Sequence, residues 1–170
     1  PEGTLVANFS EHTAAVRRIL VSPDQTFFIS ASDDGSVKVW DTSRLERNIT
    51  RRSRQTYRLG EDVKVTSIAF IEHTYSFVAT GSDGSVHVVR VDYYQGQDGS
   101  AKFGRPRLLR EYQLSKSDHA VWSEHYNEEN KSILLLATNT AKIIALDLRS
   151  MEELFTLQNP LDHGTPTCFC

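Results

Sequence analysis

Two adjacent carboxylates, Asp33 and Asp34, are of a type that could bind a metal ion or share a catalytic proton, and His12 could act as a general base. The same residues also have a structural explanation. Asp34 and Gly35 form the Asp-Gly pair that tight β-hairpin turns favour. We therefore interpret Asp33 and Asp34 as structural residues. We predict no catalytic residue and no cofactor.

Three further residues, His163, Cys168 and Cys170, are potential zinc ligands. Structural zinc sites usually place two cysteines roughly two to four residues apart, with a second pair of ligands farther along the chain. Here a single residue separates the two cysteines, so the spacing does not fit. We predict no metal site and interpret the segment from Thr167 to Cys170 as the beginning of another strand.

An arginine-rich segment is the strongest candidate for binding. Its members fall between residues 44 and 58: Arg44, Arg47, Arg51, Arg52, Arg54 and Arg58. A solvated surface explains many charge runs, but arginine also pairs with carboxylates and phosphates and is frequent at protein interfaces. Both interpretations stay open, and Arg47, Arg51 and Arg52 are the candidate partner-binding residues of this segment.

The elements that must position these residues form a repeat. The segment from Ser32 to Asp41 resembles the segment from Gly81 to Val89, and a less similar copy runs from Ala137 to Asp147. Each copy lies in a unit with an apolar strand, a turn, a second strand, a tight turn, an alternating third strand and a charged outer strand. Spacings of about 45 residues, lengthened by insertions, are typical of the units of a β-propeller.

The first two strands of each unit are almost continuous in apolar residues, which predicts burial on both faces between neighbouring units. The predicted first strands are 16–21, 64–70 and 120–126, the second strands are 27–32, 76–82 and 133–139, and the outer strands are 54–59, 108–114 and 152–158. Residues 42–53 and 93–107 join equivalent strands and should therefore emerge on the same face. Long loops on a rigid scaffold often bind partners, and Tyr93, Tyr94 and Phe103 are candidate aromatic anchors there.

Composition excludes several classes of function. The chain has 170 residues, 39% of them apolar, and a net charge of -3, which gives no reason to expect nucleic acid as a partner. Its longest apolar run is far shorter than the roughly 20 residues of a membrane-spanning helix. Two cysteines favour a cytoplasmic protein, and any membrane association should be indirect. Without an initiator methionine, the chain is expected to be a piece of a longer protein.

The first unit resembles the WD repeat. Glu11-His12 stands where that family has a Gly-His pair, and Ser32, Asp34 and Trp40-Asp41 follow at the spacing of the family. The resemblance implies an all-β partial propeller of about three four-stranded antiparallel blades plus flanking strands. It also implies a hydrogen-bonded chain of His12, Asp34, Ser32 and Trp40. Val89 and Leu146 replace the tryptophan in the later units, which are therefore expected to hold by apolar packing alone.

Flanking segments carry a closer resemblance, including residues 5–12, 15–19, 51–57 and 146–150. They are similar to the C-terminal propeller of the regulatory, protein-kinase-like subunit of the class III phosphatidylinositol 3-kinase complex. The resemblance implies a non-catalytic scaffold in vacuolar sorting, endosomal transport and autophagy. It implies a lipid kinase and coiled-coil subunits as partners, and a kinase-like domain upstream. The alternative is an unrelated cytosolic WD-repeat adaptor or peptide-binding module.

The predicted limits of the units follow from the repeat. They are an outer strand of a neighbouring blade (1–10), three blades (11–59, 60–114 and 115–158) and the beginning of a further blade (159–170). Because three blades cannot close a ring, we expect exposed apolar flanks on this segment.

Overall fold

The computed structural model describes residues 7–42 and 52–158. More than half of these residues lie in β-strands, and none of them lies in an α-helix. The strands are β1 (Val16–Val21), β2 (Phe27–Ser32), β3 (Ser36–Asp41), β4 (Gln55–Arg58), β5 (Val65–Phe70), β6 (Ser76–Gly81), β7 (Ser85–Arg90), β8 (Tyr93–Gln95), β9 (Ala101–Phe103), β10 (Arg107–Gln113), β11 (Ala120–Glu128), β12 (Lys131–Thr138), β13 (Lys142–Asp147) and β14 (Glu152–Gln158). Among the residues that the structure describes, no helix is long and apolar enough to cross a bilayer.

Three antiparallel sheets of four strands each contain most of the strand residues in the part of the chain that the structure describes. The first sheet has the order β1-β2-β3-β4, the second β5-β6-β7-β10 and the third β11-β12-β13-β14, while β8 and β9 form a separate hairpin. The predicted all-β class with four-stranded antiparallel units is confirmed. The three sheets fall inside the predicted ranges 11–59, 60–114 and 115–158, which as domain limits stay predictions.

Short turns connect the strands where the sequence places turn residues. The amide of Gln25 donates to the carbonyl of Ser22 at 2.9 Å, and Gln25 adopts a φ of 61°. Gly35 and Gly84 occupy the Asp-Gly turns with φ of 79° and 83°, a backbone region that glycine enters without the Cβ penalty of other residues. Ala141 holds the equivalent position of the third sheet at a φ of 60°.

These two glycines also let consecutive sheets approach closely. A Cβ at Gly35 would lie 2.5 Å from the carbonyl oxygen of Val63, and one at Gly84 would lie 2.6 Å from that of Asp118. Val63 and Asp118 each lie two residues before the first strand of the following sheet. Each turn glycine therefore sets how near the next sheet can begin.

Apolar side chains fill the spaces between the sheets. One core lies between the first and second sheets and includes Phe27, Ile29, Val37, Val65, Ile68, Phe77 and Val89. The other lies between the second and third sheets and includes Val78, Val86, Val88, Leu134, Leu136, Ile144 and Leu146. The two faces of the second sheet therefore contribute to different cores, which the alternation of side chains along a strand permits.

The predicted burial of first strands on both faces is wrong for β1. Val16, Ile19 and Val21 are exposed, because β1 packs on β5 of the second sheet with its other face uncovered by the described residues. Leu154, Phe155 and Leu157 on β14 are exposed at the opposite end. Apolar flanks were predicted at these two ends. The predicted outer strand 1–10 and the segment 159–170 lie largely or wholly outside the described residues.

Candidate interaction face and its supporting network

The bases of the two long insertions lie on one side of the molecule, which we call the insertion face. There the turn and strand ends of the first sheet border a groove of about 550 Å³ whose other wall is the β8–β9 hairpin. Its lining residues include Gln25, Thr26, Asp41, Thr42, Tyr93, Gln95 and Asp98. The Gln55 side-chain amide also donates to the carbonyl of Asp92 at 2.9 Å, so the two insertions leave from neighbouring points.

The predicted aromatic anchors behave differently from one another. Tyr94 is 55% exposed and available to a partner. Tyr93 and Phe103 instead turn inward, with ring centroids 5.7 and 6.1 Å from Phe27 of the first core. Because they are directly opposite in the hairpin, they share one face and fix the hairpin to the core. Both remain partly exposed, and their contact with a partner stays a prediction.

The arginine-rich segment does not form one patch over the part that the structure describes. Arg52 is exposed, while the guanidinium of Arg54 lies 5.4 Å from the ring centre of Phe103. Arg58 reaches the other end of β4, where it donates to the backbone carbonyl of Asp34 at 3.1 Å. Arg44, Arg47 and Arg51 lie outside the described residues.

A chain of buried hydrogen bonds supports the first sheet on the face that points away from the second sheet. The indole N–H of Trp40 donates to Oγ of Ser30 at 2.8 Å. Oγ of Ser30 lies 2.7 Å from Nε2 of His12, and Nδ1 of His12 lies 2.8 Å from the Asp34 carboxylate. With the proton on Nδ1, all three bonds donate in one direction, from Trp40 through Ser30 and His12 to Asp34.

Ser30 takes the position that the sequence analysis gave to Ser32, and the assignment of Ser32 to this chain is corrected. The register pairs Phe28 with Trp40 and Ser30 with Lys38, so Ser30 is one same-face step from Trp40 along β2 and Ser32 is two. The Oγ of Ser32 instead donates to the carbonyl of Ala14 and accepts from the amide of Asp34.

The two adjacent carboxylates point to different partners. Asp34 accepts from the amides of Thr13 and Ser36 at 3.1 and 2.9 Å. Burial alone would raise its pKa, but hydrogen bonds from Ser36, His12 and Thr13 outweigh burial and hold the pKa well below its ordinary value. Asp33 forms an ion pair with Arg17. Over residues 7–42 and 52–158, no three potential metal ligands come together.

The later sheets also use polar contacts, so the expectation of apolar packing alone is wrong. The Tyr57 hydroxyl lies 2.8 Å from Nδ1 of His87, joining the first and second sheets. The hydroxyls of Ser67 and Ser123 lie 2.8 Å apart and join the second and third. These groups hydrogen-bond to one another across sheets, because a buried polar atom left alone would be costly.

One contact that sequence reasoning missed joins the first two sheets on the insertion face. The Tyr75 hydroxyl donates to the Asp24 carboxylate at 2.7 Å. Burial opposes ionisation of Asp24, but hydrogen bonds from Thr26, Tyr75 and Ser22 prevail and lower its pKa to about 2. The same bond, with smaller contributions from burial and charge, raises the pKa of Tyr75 to about 12. The two residues are 51 positions apart, so only the turn signal at Asp24 was visible in the sequence.

Tyr75→Phe should raise the pKa of Asp24 above 2, because the phenol no longer stabilises the carboxylate. A lowered pKa contributes stability above the ordinary value of 3.8, and this contribution is lost as the pH falls through about 2. Carboxyl-carbon NMR titration of Asp24 measures the shift. Tyr94→Phe is the matched control and should leave the titration unchanged; an equal titration in both variants would contradict the contact.

Comparison with known proteins agrees with this geometry. The family model described as "WD domain, G-beta repeat" matches residues 3–41 and 53–89, the units built on the first two sheets. The chain contains WD repeats. Its three sheets are thus blades of a partial WD propeller, and the bonded chain from Trp40 to Asp34 lies within the first WD repeat.

Several relatives of this WD-repeat chain are named as VPS15 kinases. It is 38% identical over 170 residues to "Probable serine/threonine-protein kinase vps15" of Dictyostelium discoideum, covering 99% of this chain and 9% of that protein. Identity to "Serine/threonine-protein kinase VPS15" of Saccharomyces cerevisiae is 30% over 173 residues, covering 99% and 12%. The Arabidopsis thaliana protein of that name is 43% identical over 93 residues, covering 55% and 6%.

The WD-repeat chain is a strand domain and not a kinase domain. It spans 9% of the length of the Dictyostelium discoideum protein and 12% of that of the Saccharomyces cerevisiae protein, and the family model that matches it is the WD repeat. This chain is thus similar to a small part of each of these kinase-named proteins.

Proposed function

We propose that this WD-repeat chain is part of a non-catalytic protein-interaction scaffold, in the regulatory subunit of a class III phosphatidylinositol 3-kinase complex. The observation that carries the proposal is the similarity to VPS15 kinases over 99% of the chain in two of them. The scaffold would act in endosomal and vacuolar sorting and in autophagy. A WD repeat common to many proteins would not by itself produce a match of that extent.

The partners in this proposal are the lipid kinase catalytic subunit and coiled-coil sorting or autophagy subunits. The whole protein would be cytoplasmic and would reach endosomal, vacuolar or autophagic membranes through the complex, with its kinase-like domain upstream of this chain. The insertion face is the proposed contact surface. Its exposed residues include Tyr94 and Arg52. Tyrosine and arginine are both enriched among the residues that contribute most binding energy at interfaces.

Affinity purification of the full-length protein from native cell extract, followed by mass spectrometry, tests the assignment. Recovery of a lipid kinase and a coiled-coil protein in stoichiometric yield is expected. Recovery of an unrelated assembly instead would overturn the proposed complex and favour the alternative of a cytosolic WD-repeat adaptor.

Combined Tyr94→Ala and Arg52→Ala substitutions in the full-length protein should weaken partner binding by roughly 5- to 30-fold, the loss expected for truncating interface anchors. Quantitative pull-down of the partner subunits measures the effect. The matched control is Glu61→Ala with Lys116→Ala. These two residues are exposed and lie toward the opposite ends of the strands. Loss of binding in the control but not in the insertion-face variant would show that the partner contacts the other face.

A further inference from the structure

Two arginines of the second sheet lie directly opposite each other. Arg90 ends β7 and Arg107 begins β10, and the strand register pairs them. Side chains at such positions have Cβ atoms about 4.5–5.5 Å apart, and like charges there are destabilising. Both residues are exposed. Neither guanidinium has an ion pair or a side-chain hydrogen bond within the described ranges, so the positive charge of the pair is left uncompensated there.

A third arginine extends this positive surface along β10. Arg110 is opposite Val88, whose side chain lies in the core between the second and third sheets. Its Nη1 donates to the carbonyl of Leu148 in the third sheet at 2.9 Å. Because side chains alternate along a strand, Arg90 shares the face of Val88. The opposed pair therefore lies on the side of the second sheet that borders the third.

The strand that carries Arg107 is also an open edge. β10 is outermost in its sheet, and no strand in residues 7–42 or 52–158 pairs with its outer side. Leu108 and Leu109 are 44% and 50% exposed, and the register shifts between Leu108 and Arg110. Unpaired amides and carbonyls along an exposed edge can accept a strand from another chain.

We propose that this edge, from Arg90 and Arg107 along β10, binds an extended acidic segment of a partner protein. The segment adds as a strand on the outer side of β10, and its carboxylates pair with Arg107 and, across it, with Arg90. Arginine can hold an anion through paired N–H donors. Its apolar side chains pack on Leu108 and Leu109. An anionic lipid would match the arginines alone, whereas a peptide also matches the backbone edge. The site stands whether or not the complex proposed above is the partner.

The first test uses the full-length protein and a fluorescein-labelled ten-residue peptide of alternating Glu and Val. Arg90→Glu with Arg107→Glu should reduce its affinity at least tenfold by fluorescence anisotropy, and a Lys-Val peptide should not bind. The matched control, Lys116→Glu with Lys131→Glu, makes the same change in net charge at two exposed lysines and should stay within twofold of the unchanged protein. An equal loss of peptide affinity in both variants would show that net charge alone causes the effect, and would overturn the proposed site.

Two further measurements separate the parts of the proposal. Methylation of alternate backbone nitrogens of the peptide should abolish binding, and undiminished binding would exclude strand addition. Arginine-dependent binding to phosphatidylserine-containing vesicles without binding to the peptide would make the surface a lipid site and overturn the proposal.

Arg107→Glu alone should raise the thermal midpoint while it weakens peptide binding, because it replaces the opposed like charges with an ion pair. A lowered midpoint would contradict the repulsion between Arg90 and Arg107.

Discussion

Trp40→Ala is expected to lower the free energy of unfolding by about 3–5 kcal/mol, the usual cost of truncating a large buried aromatic side chain. Trp40 is 2% exposed and packs against Phe9 and Phe28 with ring centroids 4.9 and 6.0 Å away. Its truncation also removes the N–H that begins the bonded chain through Ser30 and His12. Such a loss is a large part of the roughly 5–15 kcal/mol that stabilises a typical domain. Urea unfolding followed by circular dichroism measures it.

One conservative substitution separates the contribution of packing from that of hydrogen bonding, and a second serves as its control. Trp40→Phe retains an aromatic ring and should cost about 1–3 kcal/mol, because it deletes the donor to Ser30 and leaves a small void. Trp122→Phe is the matched control. Trp122 is partly exposed and stacks under the guanidinium of Arg18, 3.8 Å from its ring centre. Trp122→Phe should therefore lower the free energy of unfolding by about 1 kcal/mol. If Trp40→Ala cost no more than the control, Trp40 would not anchor the first sheet.

Gly35→Ala is the second substitution with a large expected effect, about 3 kcal/mol or more. A left-handed backbone costs an L-residue about 1–2 kcal/mol. In addition, the new Cβ would lie 2.5 Å from the carbonyl oxygen of Val63, so part of the backbone must shift. Both the thermal midpoint and the urea midpoint of the variant should fall.

Gly99→Ala is a matched control that isolates the cost of placing an L-residue in the left-handed backbone region. Gly99 has a φ of 75° in the β8–β9 hairpin, and a Cβ there meets no atom within 4 Å. Its cost should not exceed about 1–2 kcal/mol. Gly84→Ala should instead behave like Gly35→Ala, because its Cβ would lie 2.6 Å from the carbonyl of Asp118. Similar losses at Gly35 and Gly99 would show that the contact with Val63 has little energetic weight.

The strands were largely predictable because their patterns are local. β2 has the predicted limits Phe27–Ser32, and the outer strand β14 also matches its prediction. The assignment of Ser32 to the position that Ser30 occupies shows that a local pattern does not determine the register between strands. Both serines lie on the same face of one strand, and only the register with β3 decides which of them reaches Trp40. Register depends on pairing between strands, which composition and spacing do not fix.

The candidate face was predictable in place but not in detail. Equivalent connections emerge on one side of stacked sheets, whichever residues they contain. The inward orientation of Tyr93 and Phe103 depends on the small hairpin that carries them, and the Asp98-Gly99 pair was an available signal for its turn. The opposed Arg90 and Arg107 required the register of β7 and β10. These arginines are 17 positions apart in the chain, too far for a pattern along one strand to connect them.

The approach of Gly35 and Gly84 to the following sheets also bears on how this architecture can change over evolutionary time. Stacking is fixed where a turn glycine approaches the carbonyl of Val63 or Asp118, at the strand ends opposite the connections 42–53 and 93–107. Apart from Tyr93 and Phe103, which pack on the first core, those connections can therefore change in length by insertion and deletion without altering the spacing of the sheets. A lineage could thus acquire or lose binding specificity in its loops while the scaffold stays constant.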